Sequence, residues 1–513
     1  MPSSSPLRRS RVTAVVALAA VAVAGAVVVG GVGVAGTGTG SVAAGTAGVA
    51  GAASAAGGTR LTWSPCGGGF ECATLPVPRD HDVPDGPRLD LALIRAPARG
   101  DRIGSLVVNP GGPGASAVDF VRGVTAALPG SLRDRFDVVG FDARGTGRSA
   151  PVDCRYDMAR YYALDASPDD AAERAALVAG AQELVAACVA ANGDRLDHVG
   201  TDDTVRDLDR VRAALGDERL TYLGFSYGTV IGARYATAHP DRVRALVLDG
   251  AVDPSLSARE QQLQQAVAFE RVLDRFLAWC AGNADCAFDR AGGTATAFDR
   301  LLGRIDADGL AVPGGRRRLS PNEVDLGIAT ALYEGAAGFP RLGEALAAAD
   351  RADGSPLARL SDAYTQRSPG GGYGLIQEAF LAISCADGPA IGSLADQAAL
   401  EAAARAQAPR VGVAVVNNSL PCVFWPVAEA PPAPVTAPDA PPIVVVGTRG
   451  DPATPFAWAE ALVDRLGGDA VLVSAPGSQH TGFLQGSRCV DDTVVRYLLT
   501  RRAPTATRVC PRR

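Results

Sequence analysis

The stretch LTYLGFSYGTVIGARYA, from Leu220 to Ala236, sets Ser226 at the centre of a GFSYG pentapeptide. A serine hydroxyl presented on a tight turn is a nucleophile for carbonyl carbon, but GxSxG alone is weak. A chain with 60 glycines in 513 residues supplies such a match by chance roughly a third of the time. The flanks carry the argument. The apolar LTYL before Gly224 and the small-residue helix TVIGARYA after Gly228 supply the strand, sharp turn and helix of a nucleophile elbow. Side chains in place of Gly224 or Gly228 would collide across that turn.

A serine needs a base, and the chain has only four histidines. His81 sits in RDHDVPDG, which reads as a solvated loop, and His239 in TAHPDR, which reads as a helix C-terminal cap. His198 lies in a connecting loop. His480, in PGSQHTGF, follows a strand near the C-terminus, where the order Ser, Asp, His of the α/β-hydrolase fold places the base. Between them, Asp451 in VVVGTRGDPATP ends another apolar strand and can orient the imidazole. Its other role is a turn or helix cap, and the two are compatible. Acyl transfer also needs backbone donors for the developing oxyanion, each often worth about 3 kcal/mol. The glycine loop NPGGPGAS at 109–116 and the residue after the nucleophile supply them, as the N–H groups of Gly112 and Tyr227. Phosphate cradling is the rival for that loop, but GxxxxGK[ST] is absent.

These groups require a scaffold that delivers strand ends to one place. LDLALIRA (89–96), GSLVV (104–108), FDVVGF (136–141), VRALVLDG (243–250), PIVVVG (442–447) and DAVLVSA (469–475) read as short strands. A helix over 202–215 carries apolar Val205, Leu208, Val211 and Leu215, with Thr201 or Asp202 as its cap. Alternating strands and helices predict an α/β fold with a doubly wound, mostly parallel sheet. From Pro254 the pattern turns to long Ala/Leu/Arg helices, ending in the Pro-rich PVAEAPPAPVTAPDAPP. The expected organisation is an export segment at 1–58, core at 59–253, a helical cap insertion at 254–441 and core again at 442–513.

Composition narrows the chemistry. All 49 basic residues are Arg, so a Ser-Lys dyad, a Schiff base or a Walker lysine is excluded. A net charge of -6 gives no field for nucleic acid. Arg8, Arg9 and Arg11 precede an apolar Ala/Val/Gly run, which reads as a signal peptide with cleavage between Ala24 and Ala55. A retained membrane anchor is the alternative. No Cys precedes Cys66, which argues against a lipoprotein anchor. After an export signal, ten cysteines read as a disulfide framework rather than thiol or metal chemistry. They fall into local couples: Cys66 with Cys72, Cys154 with Cys188, Cys280 with Cys286, Cys385 with Cys422, Cys489 with Cys510. No cofactor is expected.

The segments CATLPVPRDHDVPDG, VVNPGGPGAS, VVGFDARGTGRS, YLGFSYGTVIGARYA, LAISCADG, GTRGDPATPFAWAEAL, GSQHTGF and YLLTRRAPTATRVC run in order across nearly the whole mature chain. Together they resemble the secreted tripeptidyl aminopeptidases of actinomycetes, relatives of proline iminopeptidase among the α/β-hydrolases. The resemblance implies release of short peptides, typically tripeptides, from free N-termini beneath a helical cap. It implies the same nucleophile, acid and base, Ser226, Asp451 and His480. Proline iminopeptidases carry HGGPG; here Pro110 stands where that motif has His. An aminopeptidase must also hold the substrate ammonium with carboxylates. Glu378 and Asp387, flanking Cys385, are the candidates, with helix-surface or capping roles as the alternative. The same triad serves an esterase or acyltransferase, and a non-catalytic binding protein on the same fold is a third possibility. Peptides with a free N-terminus are the expected partners, with no nucleic acid and no stable membrane association after signal cleavage, and the expected location is extracellular.

Overall fold

The computed structural model describes residues 61–512 apart from 291, 316, 388–390 and 427–433. The expected export segment and part of the Pro-rich connector lie outside the described residues. Ten strands form one sheet: β1 (Ser64–Pro65), β2 (Glu71–Pro78), β3 (Arg88–Ala96), β4 (Gly104–Asn109), β5 (Phe136–Phe141), β6 (Leu220–Phe225), β7 (Val243–Asp249), β8 (Ile443–Thr448), β9 (Val471–Ala475) and β10 (Arg508–Val509). Their spatial order is β1-β2-β3-β5-β4-β6-β7-β8-β9-β10. Pairing is antiparallel from β1 to β5 through β3, and parallel from β5 onward. Every residue of β5, β6, β8 and β9 is buried, as expected of a parallel sheet covered on both faces.

Strand β2 is the longest strand the periodicity does not predict, because ECATLPVP carries two prolines. Beyond Cys72 its outer edge has no partner in β1, so Pro76 and Pro78 can stand where the ladder needs no N–H on that side. One face of the sheet is covered by α3 (Thr201–Ala214), α4 (Gly228–Ala238) and α12 (Phe456–Leu466), which bury Leu208, Val211, Ile231, Tyr235 and Leu462. The opposite face is covered by α1 (Ala117–Val124) and α13 (Arg488–Thr500), with Val121, Val494 and Leu498 inside. Helix α2 (Ala171–Asn192) flanks the core and carries Cys188.

Between β7 and β8 the described residues add no strand to the sheet. It forms α5 (Ala258–Cys280), α6 (Thr294–Asp308), α7 (Pro321–Tyr333), α8 (Phe339–Asp350), α9 (Ser355–Thr365), α10 (Ile376–Asp387) and α11 (Leu394–Gln407). Ser257 with Glu260 and Ser320 with Glu323 close capping boxes at the starts of α5 and α7. Helices α5 to α9 share their own apolar centre of Phe269, Leu273, Phe276, Phe298, Ile328 and Leu346. The five local cysteine couples are all disulfide-bonded.

Two local expectations change. The His81 side chain is buried rather than solvated, with its Nε2 2.9 Å from Asp207 Oδ1 and 2.9 Å from Arg144 Nη2. The cause is Arg144, fully buried and in need of acceptors. It forks onto Asp207 and donates to the carbonyls of Pro78, Arg79 and His198, which draws the His81 loop over it. The cap of α3 is Gly200, with no side chain of its own to accept a bond, while Thr201 is already helical. His239 does sit at the C-cap of α4.

Candidate active site

The end of β6 passes directly into Ser226, whose φ of 54° is positive, and then into α4. The turn leaves no room for side chains on either flank: a Cβ on Gly224 would lie 2.5 Å from the Gly228 carbonyl oxygen, and one on Gly228 2.8 Å from Asn109 Oδ1. The strained residue is held from both sides, since its N–H donates to the Asp249 carbonyl at 2.8 Å and its carbonyl accepts from Thr229 N–H at 2.8 Å. Ser226 thereby lines a cavity of about 750 Å³ between the sheet and the helical cap, and His480 lines the same cavity.

Asp451 follows β8 and is buried, with both carboxylate oxygens 2.9 Å from His480 Nδ1. Its oxygens also accept from Ala453 N–H and Thr454 N–H, each at 2.9 Å, from Thr481 N–H at 3.2 Å and from the Thr454 hydroxyl at 3.0 Å. The DPAT turn is therefore an N–H cradle around a carboxylate, and the imidazole completes it. His480 Nε2, the other ring nitrogen, is buried and has no hydrogen-bond partner among the described residues. Burial depresses the His480 pKa, but the Asp451 carboxylate outweighs it by charge and hydrogen bond, with help from Asp249, and leaves the pKa above its ordinary value. The cap grips this loop too: His480 N–H donates to the Tyr333 carbonyl at 2.8 Å, and the two rings meet edge-on at 5.5 Å.

Asp249, at the end of β7, is a second carboxylate behind His480 that the sequence reading did not assign. Its side chain accepts from Gly482 N–H at 2.8 Å and Phe483 N–H at 2.7 Å, while its carbonyl holds Ser226. One residue thus ties the elbow to the histidine loop. Burial drives its carboxyl up to about 7, against the pull of those two N–H groups. The only signal in the sequence was an acidic residue closing the strand VRALVLD directly after the apolar run ALVL. Thr454 also went unassigned, although DPAT has the spacing of an Asp-initiated turn.

The glycine loop follows β4. Gly111 N–H is occupied by Asn109 Oδ1 at 2.9 Å, whereas Gly112 and Tyr227 line the cavity and their N–H groups have no protein acceptor among the described residues. The loop leads into α1, capped by Ser116, and Asp142 anchors both by accepting from the Ser116 hydroxyl at 2.7 Å and Val118 N–H at 3.0 Å.

The two amine-binding candidates part company. Glu378 is buried but lies outside the cavity lining, close to Asp153 and the Cys154 backbone. Its position is set by α10, which turns the neighbouring Gln377 and Phe380 to the cavity. Burial, reinforced by Asp153, raises the Glu378 carboxyl to about 7. Asp387 does line the cavity, yet its oxygens already accept from Thr201 N–H at 2.5 Å and from the hydroxyls of Thr201 and Tyr227. The cavity also carries Glu334, bonded to Arg341 at 2.6 Å, and Glu344. Among the described residues, Asp169, Asp170 and Glu173 bring three carboxylates within 4.8 Å of one another, on the surface where Asp170 caps α2.

An imidazole poised above its ordinary pKa, a serine on a strained turn in the same cavity and two N–H groups without a protein acceptor among the described residues, on residues lining that cavity, are the parts of acyl transfer. The family described as alpha/beta hydrolase fold matches residues 104–291, and the family described as TAP-like protein matches residues 408–510. The serine protease Hip1 of Mycobacterium tuberculosis is 38% identical over 478 residues, covering 88% of this chain and 91% of the relative. Carboxylesterase B of Mycobacterium tuberculosis is 35% identical over 456 residues, covering 86% of each chain. The tripeptidyl aminopeptidase of Streptomyces lividans is 32% identical over 491 residues, covering 90% of this chain and 89% of the relative.

Proposed function

From the premise that this chain belongs to the tripeptidyl aminopeptidase-like family of α/β-hydrolases and is a serine hydrolase, we propose that it is a secreted exopeptidase releasing short peptides, most simply tripeptides, from free N-termini. Ser226 Oγ attacks the scissile carbonyl while His480 Nε2 takes its proton. Such a hydrogen bond commonly tightens only once substrate is bound. Asp451 keeps the second imidazole proton on Nδ1 and stabilises the imidazolium. The N–H groups of Gly112 and Tyr227 bind the oxyanion. His480 then protonates the leaving amine, and a water deprotonated by the same nitrogen releases the acyl-enzyme.

The observation that carries the peptide reading is the cavity wall. Beside Ser226 and His480 the cap presents Glu334 and Glu344 with the amide side chains of Gln261, Gln262, Gln377 and Asn418. Carboxylates suit a substrate ammonium, and amides suit a peptide backbone. Since Glu378 lies outside the cavity and Asp387 is already engaged, Glu344 takes over the ammonium role in this proposal, with Glu334, paired with Arg341, on the same wall. Five disulfides support an oxidising compartment.

An ester substrate is the second reading, favoured by the apolar part of the wall, Phe120, Val124, Phe225, Phe483 and Leu484. Mass spectrometry of products from matched free and N-acetylated peptides, with an acyl ester alongside, separates the two. Tripeptides from free peptides only are expected. Ester turnover with every peptide intact would overturn the peptidase reading. Fluorophosphonate labelling of Ser226, lost in His480→Ala, tests against a non-catalytic binding protein.

A further inference from the structure

Next to the elbow, four polar groups from three elements meet. Tyr227 and Arg234 come from the elbow and α4, Thr201 from the start of α3, and Asp387 from the last residue of α10 in the cap. The Tyr227 hydroxyl donates to Asp387 Oδ2 beside the Thr201 hydroxyl, and Asp387 Oδ1 accepts from the Thr201 N–H at 2.5 Å. Asp387 therefore supplies the N-terminal cap that Gly200 lacks, from 186 residues away in the chain. Space is reserved for it, since a Cβ on Gly200 would come within 3.2 Å of Asp387 Oδ1. Arg234 is the nearby positive charge; its Nη1 also bonds Asp202 at 3.0 Å. Burial raises the Asp387 carboxyl, against Arg234, Thr201 and Tyr227, which favour its charged form.

The other end of α10 touches the other half of the same apparatus. Gly114, two residues beyond Gly112, packs against the α10 backbone so closely that a Cβ would lie 2.8 Å from the Ile376 carbonyl oxygen and 3.0 Å from Phe380 N. The Cys385–Cys422 disulfide fixes the helix to the rest of the cap, and Cys422 itself lines the cavity.

We propose that α10 is the brace of the oxyanion site: its first turns press the Gly112 loop into place, and Asp387, through the Tyr227 hydroxyl, holds the Tyr227 N–H at its working angle. Asp387 is thus a positioning residue rather than an ammonium ligand, and the cap is coupled to bond making as well as to substrate entry. The inference rests on the assignment of Gly112 and Tyr227 as oxyanion donors, and does not depend on whether the acyl donor is a peptide or an ester.

The test uses the mature chain and the variants Tyr227→Phe and Asp387→Asn, with a free-amine tripeptidyl anilide and an acyl ester that has no amine. Misplacing one donor by a fraction of an ångström costs about 10- to 100-fold in rate. The expected result is a fall of that size in kcat for every substrate the wild type turns over, KM within about threefold, and a double variant no slower than the slower single. Fluorophosphonate labelling of Ser226 should slow in parallel. An increase in KM confined to the amine-bearing substrate would make Asp387 the ammonium ligand and overturn the brace. Unchanged kcat with only a lowered Tm would overturn it too. Tyr227→Phe removes a single hydroxyl and carries the test alone if Asp387→Asn does not fold. A wild type that cleaves the ester but no peptide would refute the exopeptidase reading while leaving this test intact on the ester.

Discussion

Replacing Asp451 with Asn keeps the shape of the side chain and removes its charge. Oδ1 must stay an oxygen, because it accepts the N–H groups of Ala453 and Thr454 at 2.9 Å each. The new amide group then falls at Oδ2, facing Thr481 N–H and His480 Nδ1, both donors in the native arrangement. His480 Nδ1 is left either with only Oδ1, which it shares with two backbone N–H groups, or in the tautomer whose Nε2 already carries a proton and cannot serve as base. The imidazolium formed during attack also loses a counter-charge 2.9 Å from its Nδ1. At 3 to 4 Å and an effective dielectric near 20, that attraction is about 4 to 6 kcal/mol. At about 1.4 kcal/mol per decade the expected loss in kcat is about 10³- to 10⁴-fold. The assay is kcat on the best chromogenic acyl substrate, beside the thermal midpoint. The structure contains a rival acid, because Asp249 also acts on His480 by charge. If Asp249 were the acid, Asp249→Asn would carry the large loss. The assignment expects no more than about a tenfold effect there, since Asn retains one acceptor for Gly482 or Phe483. A folded Asp451→Asn variant with more than a tenth of wild-type kcat would refute the reasoning.

The raised pKa of His480 sets the acid limb of kcat/KM. The base must be neutral, so activity falls as pH drops through its pKa, and a limb below 6.5 would contradict the charge environment described. Asp249 favours the imidazolium, so Asp249→Asn should move that limb to lower pH. Gly224→Ala puts a methyl group 2.5 Å from the Gly228 carbonyl oxygen and 2.6 Å from Tyr222 Cε1; soluble yield and Tm should both fall, and native stability would refute the packing argument. Serine at both Cys385 and Cys422 opens a link across 37 residues. Chain entropy predicts a loss of about 3 to 4 kcal/mol in unfolding free energy, read from denaturant midpoints.

Much of this architecture was legible because its signals are local. A buried parallel strand is a short apolar run, an elbow is two glycines around a serine, and a chain with four histidines offers few bases. The selection of Ser226, Asp451 and His480 needed only those patterns and their order. The structure brings Asp451 and His480 into contact and sets Ser226 in the same cavity. The five disulfides follow neighbouring cysteines for a similar reason, being separated by 6 to 37 residues.

What tertiary structure alone decided is where polar side chains of the cap and loops point. Glu378 and Asp387 are nine residues apart on one helix; one turns toward Asp153 and the other closes the N-terminus of α3, because α10 lies between two walls rather than on the surface. His81 looked solvated among Arg and Asp neighbours, yet burying Arg144 required acceptors that only a distant loop could bring. Gly111 and Gly112 are equivalent in NPGGPG until Asn109 occupies one of their N–H groups. In each case a buried charge or donor had to find a partner far along the chain, and desolvation, which no local pattern records, selected it.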